Sequence, residues 1–384
     1  MIESFVNIFK VPDLRKKVLF TLGIIAVYRI GAFIPTPGVD GALLGKFFDN
    51  MAQNQGGGTL FGLMNMFSGG AMMRLTIFAL GIMPYISASI ILQLLTTVIP
   101  ALERKAKQGE EGRRAIIQYT RYGTVVLSLI QAFFIALWLE NPARFQGMQI
   151  VAFPGWGFRI LTVITLTTGT AFIMWLGEQI QEKGIGNGIS LIITAGIISR
   201  IPTAIFQLIA LLTPGTKGEA QLDPFKMIML LVLFVLVILG TVIITQGQRK
   251  IPVQYAKRVV GRKVYGGQST YIPLKVNQSG VIAIIFAQSV LMFPATIAGL
   301  VPNQTLQGVA GALMMGKPLH YLFYSLLILF FSYFYTAITF NPIEISNNMK
   351  RFGGFVPGIR PGRQTAEYLD FIMERITLRG AIAI

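Results

Sequence analysis

The 384-residue sequence predicts an all-α polytopic membrane protein, and three observations carry that prediction. Hydrophobic types make up 53% of the residues and charged types 13%, about half the charged share of a typical soluble domain. Several apolar runs exceed about 18 residues, the length that marks a transmembrane helix. Lys and Arg concentrate in alternate loops, as membrane topology requires.

Complete spans are expected near 18–34, 75–99, 122–139, 159–177, 187–206, 226–245, 278–300 and 321–341, with a ninth beginning near 376 and the chain stopping inside it at Ile384. The loops on the side of the N-terminus hold 24 of the 33 basic residues and those on the other side 5, which places the N-terminus in the cytoplasm. The start, MIESFVNIFKVPDLRKK, is not read as a signal peptide, because its charges follow an amphipathic stretch and no small-residue cleavage site comes after the apolar run. Arg29 and Arg200 fall toward the outer ends of their spans, where snorkelling to the interface accounts for them.

The formal charge of +17 first reports topology, then a polyanionic partner or anionic lipid. There is no cysteine and a single histidine, His320. Disulfides, thiol catalysis and a cysteine–histidine metal cluster are thereby excluded. No Asp or Glu falls inside a complete span, which argues against an ion-coupled small-solute transporter. No cofactor is expected.

Between the first two spans lies NMFSGGAMMR, Asn65 to Arg74. It is too short to cross a bilayer and too apolar for an ordinary aqueous loop. Spans two and seven, GIMPYISASIILQ and NQSGVIAIIFAQSVLMFP, are both punctuated by glycine, proline and small polar residues. Paired positions in two inverted halves, or ordinary small-residue helix packing, would each explain that.

Two loops on the N-terminal side stand out. Residues 246–275 carry seven basic residues, three tyrosines and no acid. The pattern RKIPVQYAKRVV, Gly261, RKVYGGQSTYIPL alternates as a basic hairpin does. Anionic lipid or a polyanionic docking partner would suit it. In RFGGFVPGIRPGRQTAEYL two Pro-Gly pairs bracket Arg360 and predict a stiff, exposed tip. A fixed guanidinium there suits bidentate contact with phosphate or carboxylate.

The segments FSGGAMMRLTIFALGIMPYISASIILQLL, GEQIQEKGIGNGISLII, IPVQYAKRVVGRKVYGGQSTYIPLKVN and FNPIEISNNMKRFGGFVPGIRPG resemble, in order, the Sec61 alpha/SecY family, whose bacterial members are pore subunits of the SecYEG protein-conducting channel. The resemblance runs from about Val11 to the last residue. It implies a ten-helix bundle of two inverted five-helix halves, here 1–206 and 207–384, with this chain ending within the ninth helix. It implies a passive conduit, not an enzyme, for unfolded secretory polypeptides, in the bacterial inner membrane.

The family's hydrophobic pore ring falls on Ile82, Ile86, Ile189, Ile193 and Ile285. The first four form two i, i+4 pairs, each on one helix face. A narrow apolar ring resists wetting. The family's plug falls on residues 60–74, including Leu60, Phe67, Gly69, Gly70 and Arg74, with the two glycines letting the segment turn and move. The lateral gate falls on spans two and seven, with Ser87, Gln93, Gln288 and Phe293. Docking of the SecA ATPase and of the ribosome, through its RNA and tunnel-exit proteins, falls on Arg249, Lys250, Lys257, Arg258, Arg262, Lys263 and Arg360. SecE, SecG, signal peptides, nascent chains and membrane lipid are the other implied partners. A subunit without a pore is the remaining alternative, but it needs neither a glycine-hinged stopper nor a rigid arginine tip.

Overall fold

The computed structural model describes residues 10–55, 65, 68–106, 108–145, 148–212, 224–255, 258–260, 263–265, 269–280, 282–300 and 317–383. It is built from helices, and each of the eight expected spans contains one. They divide between two compact units, residues 1–210 with 292–317 and residues 211–291 with 318–384.

The first unit opens with α1 (Pro12–Gly31), which starts at a proline that needs no hydrogen-bond partner for its nitrogen. α2 (Gly41–Gln55) follows, capped by Asp40, whose Oδ1 accepts from the N–H groups of Ala42 and Leu43 at 2.9 and 3.1 Å. After the NMFSGGAMMR segment come α3 (Met83–Val98) and α4 (Pro100–Ala106), which meet at a bend of 104°. α5 (Glu110–Leu139) and α6 (Trp156–Lys183) form the long antiparallel pair on which α3 rests. Glu140 and Arg159 lock their ends at 2.6 Å, and Glu140 also accepts from the Gly155 N–H at 2.9 Å. α7 (Gly188–Ile198) and α8 (Ile201–Leu212) together carry the span expected at 187–206, which stands as one stretch, Gly188–Phe206, with a break in its helix. Pro202, in the first turn of α8, has no N–H to continue the ladder, and the chain turns at Ser199 and Arg200.

The expected helix over 75–99 begins only at Met83. Residues 75–82 are a run of turns. Pro84 favours a helix start, and Gly81 has φ +59, outside the helical region. The helix of 16 residues is about 24 Å long, short of the ~30 Å hydrocarbon core, so irregular backbone takes up the remaining depth. Such backbone is tolerated at depth where protein covers it. Here it does: Leu75, Phe78, Ala79, Leu80 and Ile82 are all at most 2% exposed.

The second unit contains α9 (Pro224–Gln246), five strands, α10 (Ile282–Leu300, which runs on into the first unit), α11 (Pro318–Thr339), α12 (Pro342–Arg351) and α13 (Arg363–Ala383). Strand β1 (Gln248–Tyr255) pairs antiparallel with β4 (Ser269–Lys275), Gln248 opposite Lys275 and Gln254 opposite Ser269. Inside it, β2 (Arg258–Val260) pairs with β3 (Lys263–Tyr265). The expected basic hairpin is therefore present in its paired strands.

A fifth strand was not expected. β5 (Gly354–Phe355) adds to β1 at Gln254 and Tyr255, giving the order β4-β1-β5. The two basic loops thus belong to one body. Its core holds Ile251 and Val253 from β1, Leu274 from β4, Met349 and Val356, and the face Leu369, Ile372, Met373 and Ile376 of α13. That packing also explains why α13 starts at Arg363 rather than near 376: its first turns bury their apolar face on the sheet before any membrane span begins.

Among the described residues, five stretches are long and apolar enough to cross a membrane: Glu110–Leu139, Trp156–Lys183, Gly188–Phe206, Phe225–Gln246 and Pro318–Arg351. A sixth would be the bent pair α3–α4.

Candidate functional site

Residues 68–82 form the centre of the first unit's candidate site. Their local fold follows from short polar side chains and glycine. Ser68 Oγ donates to the Asn65 carbonyl at 3.3 Å and accepts from Met72 N–H at 3.1 Å. Asn65 Oδ1 accepts from Met73 N–H at 3.1 Å. Gly69 and Gly70 have φ +65 and +93, a region that residues with a β-carbon avoid. The segment is a knot of turns in which the Asn65 and Ser68 side chains bond part of its own backbone.

Its far end is tied down. Thr36 N–H donates to Leu75 O at 2.9 Å, and Ile77 N–H donates to Ile34 O at 3.0 Å, closing a bridge between Pro35 and Thr76. Leu75 sits there at φ +42, the only positive φ of a non-glycine among the described residues, and is fully buried. Such strain persists only where surrounding contacts over-determine the backbone.

The stretch is wedged at its tip. A β-carbon on Gly81, the residue before Ile82, would stand 3.4 Å from Ser68 Cα. A β-carbon on Gly69 would stand 2.9 Å from Gly196 Cα. Gly196 lies one turn beyond Ile193 on α7. The Ser68–Gly69 tip therefore lies against the backbone next to Ile82 and against the helix that carries Ile189 and Ile193. Both glycines supply the turn expected of them, each at a positive φ. Gly69 has no free space around it, and it serves close approach, while Gly70 has open space and serves only its φ.

Ile82 and Ile86 are buried, at 2% and 8% exposure, and joined by the Ile86 N–H to Ile82 O bond that opens α3. Ile189 and Ile193 are half-buried on the flank of α7, whose buried face is Gly188, Ile192 and Gly196. Asn187, which the sequence reading left unassigned, positions that helix: its Oδ1 accepts from Ile189 and Ser190 N–H groups at 3.1 and 3.2 Å. Gly188 and Gly177 let α7 lie directly on α6, since a β-carbon on Gly188 would collide with the Gly177 carbonyl. Ile285 is half-buried in the second unit.

Arg29 does not snorkel as expected. Its Nη1 donates to the Gly69 carbonyl at 3.2 Å, and its guanidinium stands 5.5 Å from the centre of the Phe33 ring. Arg74, also expected in the stopper, is exposed and stands 5.0 Å from the same ring. Leu60 and Phe67 lie outside the described residues. Of the residues expected at the lateral gate, Ser87 is half-buried and Gln93 exposed on α3, and Gln288 is buried on α10. The side chain of Phe293 is outside the described residues.

In the second unit, Arg249 and Lys250 are exposed on β1. Lys257 and Arg262 lie outside the described residues, and Arg258 and Lys263 are placed by backbone alone. Arg360 stands exposed on a stapled turn. Thr365 Oγ1 donates to the Arg360 carbonyl at 2.8 Å, Ser346 Oγ to the Gly362 carbonyl at 2.6 Å, and Ile359 N–H to Val356 O at 3.1 Å. Val356 is a core residue and Ile359 packs on that core, so the tip is rooted in the sheet body. The Pro-Gly pairs announced a turn, but the Ser346 and Thr365 staples were not legible.

Comparison with known proteins gives consistent findings. The model of the SecY family matches residues 76–384. The chain is 50% identical over 379 residues to the protein translocase subunit SecY of Escherichia coli K12, covering 97% of this chain and 82% of that one. It is 48% identical to that of Streptomyces coelicolor, covering 100% and 87%. Among solved structures, it is similar to a protein-conducting channel with a TM-score of 0.65 at 17% identity, over 96% of this chain and 83% of that one. It is likewise similar to a SecY channel whose plug domain stabilises the closed state, with a TM-score of 0.64 at 18% identity, over 96% and 83%.

Proposed function

The chain belongs to the SecY family of protein translocase subunits, a polytopic membrane protein, and on that premise we propose that residues 60–82, with α3 and α7, form the stoppered waist of its polypeptide channel. The supporting observation is the placement of Ser68 and Gly69 between Gly81, beside Ile82, and Gly196, one turn past Ile193. Ile82, Ile86, Ile189 and Ile193, completed by Ile285, then line a narrow apolar constriction. Such a constriction resists wetting, while its side chains yield to a moving chain. The segment beneath it is the plug.

The proposal extends to the surroundings of that waist. Apolar segments leave sideways through a lateral gate built on α3 and α10, with Ser87, Gln93, Gln288 and Phe293. The N-terminus is cytoplasmic, as the distribution of basic residues requires. The cationic sheet body and Arg360 then face the cytoplasm and dock the SecA ATPase or the ribosome. A solved relative in the canine ribosome–channel complex is consistent with the second partner. SecE and SecG complete the complex, and energy comes from the docked motor, since the chain offers no nucleotide-binding loop or nucleophile constellation of its own.

The test is conductance of the full translocase complex in planar bilayers, with and without residues 60–74. Deletion is expected to raise ion leak while translocation persists. A complex that stays silent after the deletion would mean that this segment does not stopper a pore.

A further inference from the structure

We propose that Tyr28 and Arg29 of α1 are the latch that holds the stopper shut. The inference rests on reading residues 60–74 as the stopper and assigns the residues that govern it.

Two consecutive residues of α1 grip two consecutive carbonyls of the segment. Tyr28 Oη donates to Ser68 O at 3.4 Å, a long bond, and Arg29 Nη1 donates to Gly69 O at 3.2 Å. Tyr28 is 1% exposed and stacked on Phe78 at 5.9 Å, so its hydroxyl is aimed by a fixed ring. Ser68 O has a second donor, Ala71 N–H at 3.3 Å. Gly69 is buried, and among the described residues its carbonyl relies on Arg29. A buried carbonyl that loses its donor carries the full desolvation penalty, so the Arg29 bond is the stronger half of the latch.

Glycine is what allows that bond. A β-carbon at residue 69 would stand 2.9 Å from Arg29 Nη1 and 2.9 Å from Gly196 Cα at once. The latch therefore grips the tip where it touches the pore helix α7. The Arg29 guanidinium is held by the Gly69 carbonyl and the Phe33 ring, 5.5 Å from its centre.

The other end is anchored to the same frame. Residues 34–36, which follow α1, hold Leu75 and Ile77 by two backbone bonds. Releasing the Tyr28 and Arg29 bonds frees the tip and leaves those ties intact.

The experiment uses the complete translocase complex in planar bilayers without substrate, reading the frequency of spontaneous opening. Arg29→Gln is expected to raise it about tenfold, and Tyr28→Phe, which keeps the ring stack and so the fold, about twofold. Gly69→Ala is expected to act like Arg29→Gln. Each variant is repeated in the 60–74 deletion. A latch has nothing to hold there, so Arg29→Gln is expected to add nothing to the deletion's leak. The proposal is overturned if Arg29→Gln and Tyr28→Phe open no more often than wild type while the deletion leaks. It is overturned equally if Arg29→Gln raises leak in the deletion background, which would report a general defect of the bundle. If the deletion itself does not leak, the stopper reading fails instead.

Discussion

Residues 68–82 and 354–362 are both non-helical and punctuated by glycines of positive φ, yet they are held in opposite ways. In the first, Gly69, Gly70 and Gly81 fold a buried backbone whose outward carbonyls depend on donors from another helix, Tyr28 and Arg29. In the second, Gly358 and Gly362 fold an exposed turn whose carbonyls are stapled from the two helices that flank it in sequence, by Ser346 of α12 and Thr365 of α13, and which is rooted in a core by Val356. A segment held by another element can be released when that element moves. A segment held by its own flanks keeps its shape while whatever it carries meets a partner. The first arrangement suits a gate and the second a docking tip.

The largest expected effect separates the two regions by charge. Reversing Lys257, Arg258, Arg262 and Lys263 to glutamate should lower affinity for ribosome or SecA on the order of a hundredfold at low salt. The slope of log affinity against log salt should flatten by about 3 to 4, for roughly four lost phosphate contacts on the ribosome. Ion leak should not change. Binding titrations across salt, beside conductance of the same complex, check both halves. An unchanged slope would remove the sheet body as a docking surface.

A smaller effect is expected at the waist. Ile86→Asn combined with Ile193→Asn should hydrate the constriction and raise translocation of a preprotein with a defective signal sequence by about tenfold. Ile192→Asn provides the contrast. Ile192 is 1% exposed on the face of α7 that packs inward, and an unpaired amide there should cost about 1–3 kcal/mol of stability. It should reduce the yield of folded complex without relaxing signal selection. If all three positions behave alike in translocation and yield, Ile193 does not face a pore.

Much of this contrast was legible in the sequence, and what was not has a physical cause. Apolar run length placed each of the eight expected spans on a helix, because burial of backbone in lipid leaves few alternatives. The alternation of RKIPVQY and STYIPLK located the hairpin. The helix start at Met83 was missed because residues 75–82 are apolar enough to be a span, and only Gly81 and Pro84 signal otherwise. β5 was missed because two residues carry no periodicity, and its partner lies a hundred residues away in sequence. Arg29 was read as a snorkelling cation because spacing places a residue on a helix but does not reveal that a glycine carbonyl waits opposite it.

The smallest effect tests whether the tip acts by shape. Arg360→Lys keeps the charge and loses the planar fork that binds phosphate or carboxylate in two places. Ser346→Ala keeps Arg360 itself and removes the 2.6 Å bond to the Gly362 carbonyl. That carbonyl still accepts from Ala366 N–H at 3.1 Å, so the loss should be limited to about 1 kcal/mol. Neither change alters charge, so neither should move the salt slope. Each should weaken partner binding by about two- to fivefold, and translocation should fall with it while membrane assembly stays normal. Because both act on one property, the position of the guanidinium, the double variant should lose less than the product of the single losses. Full additivity in the binding assay would mean that Ser346 stabilises the body generally and does not aim Arg360. Wild-type binding by Arg360→Lys would mean that charge alone is read at the tip, and the contrast between a releasable segment and a shaped one would then rest on the gate only.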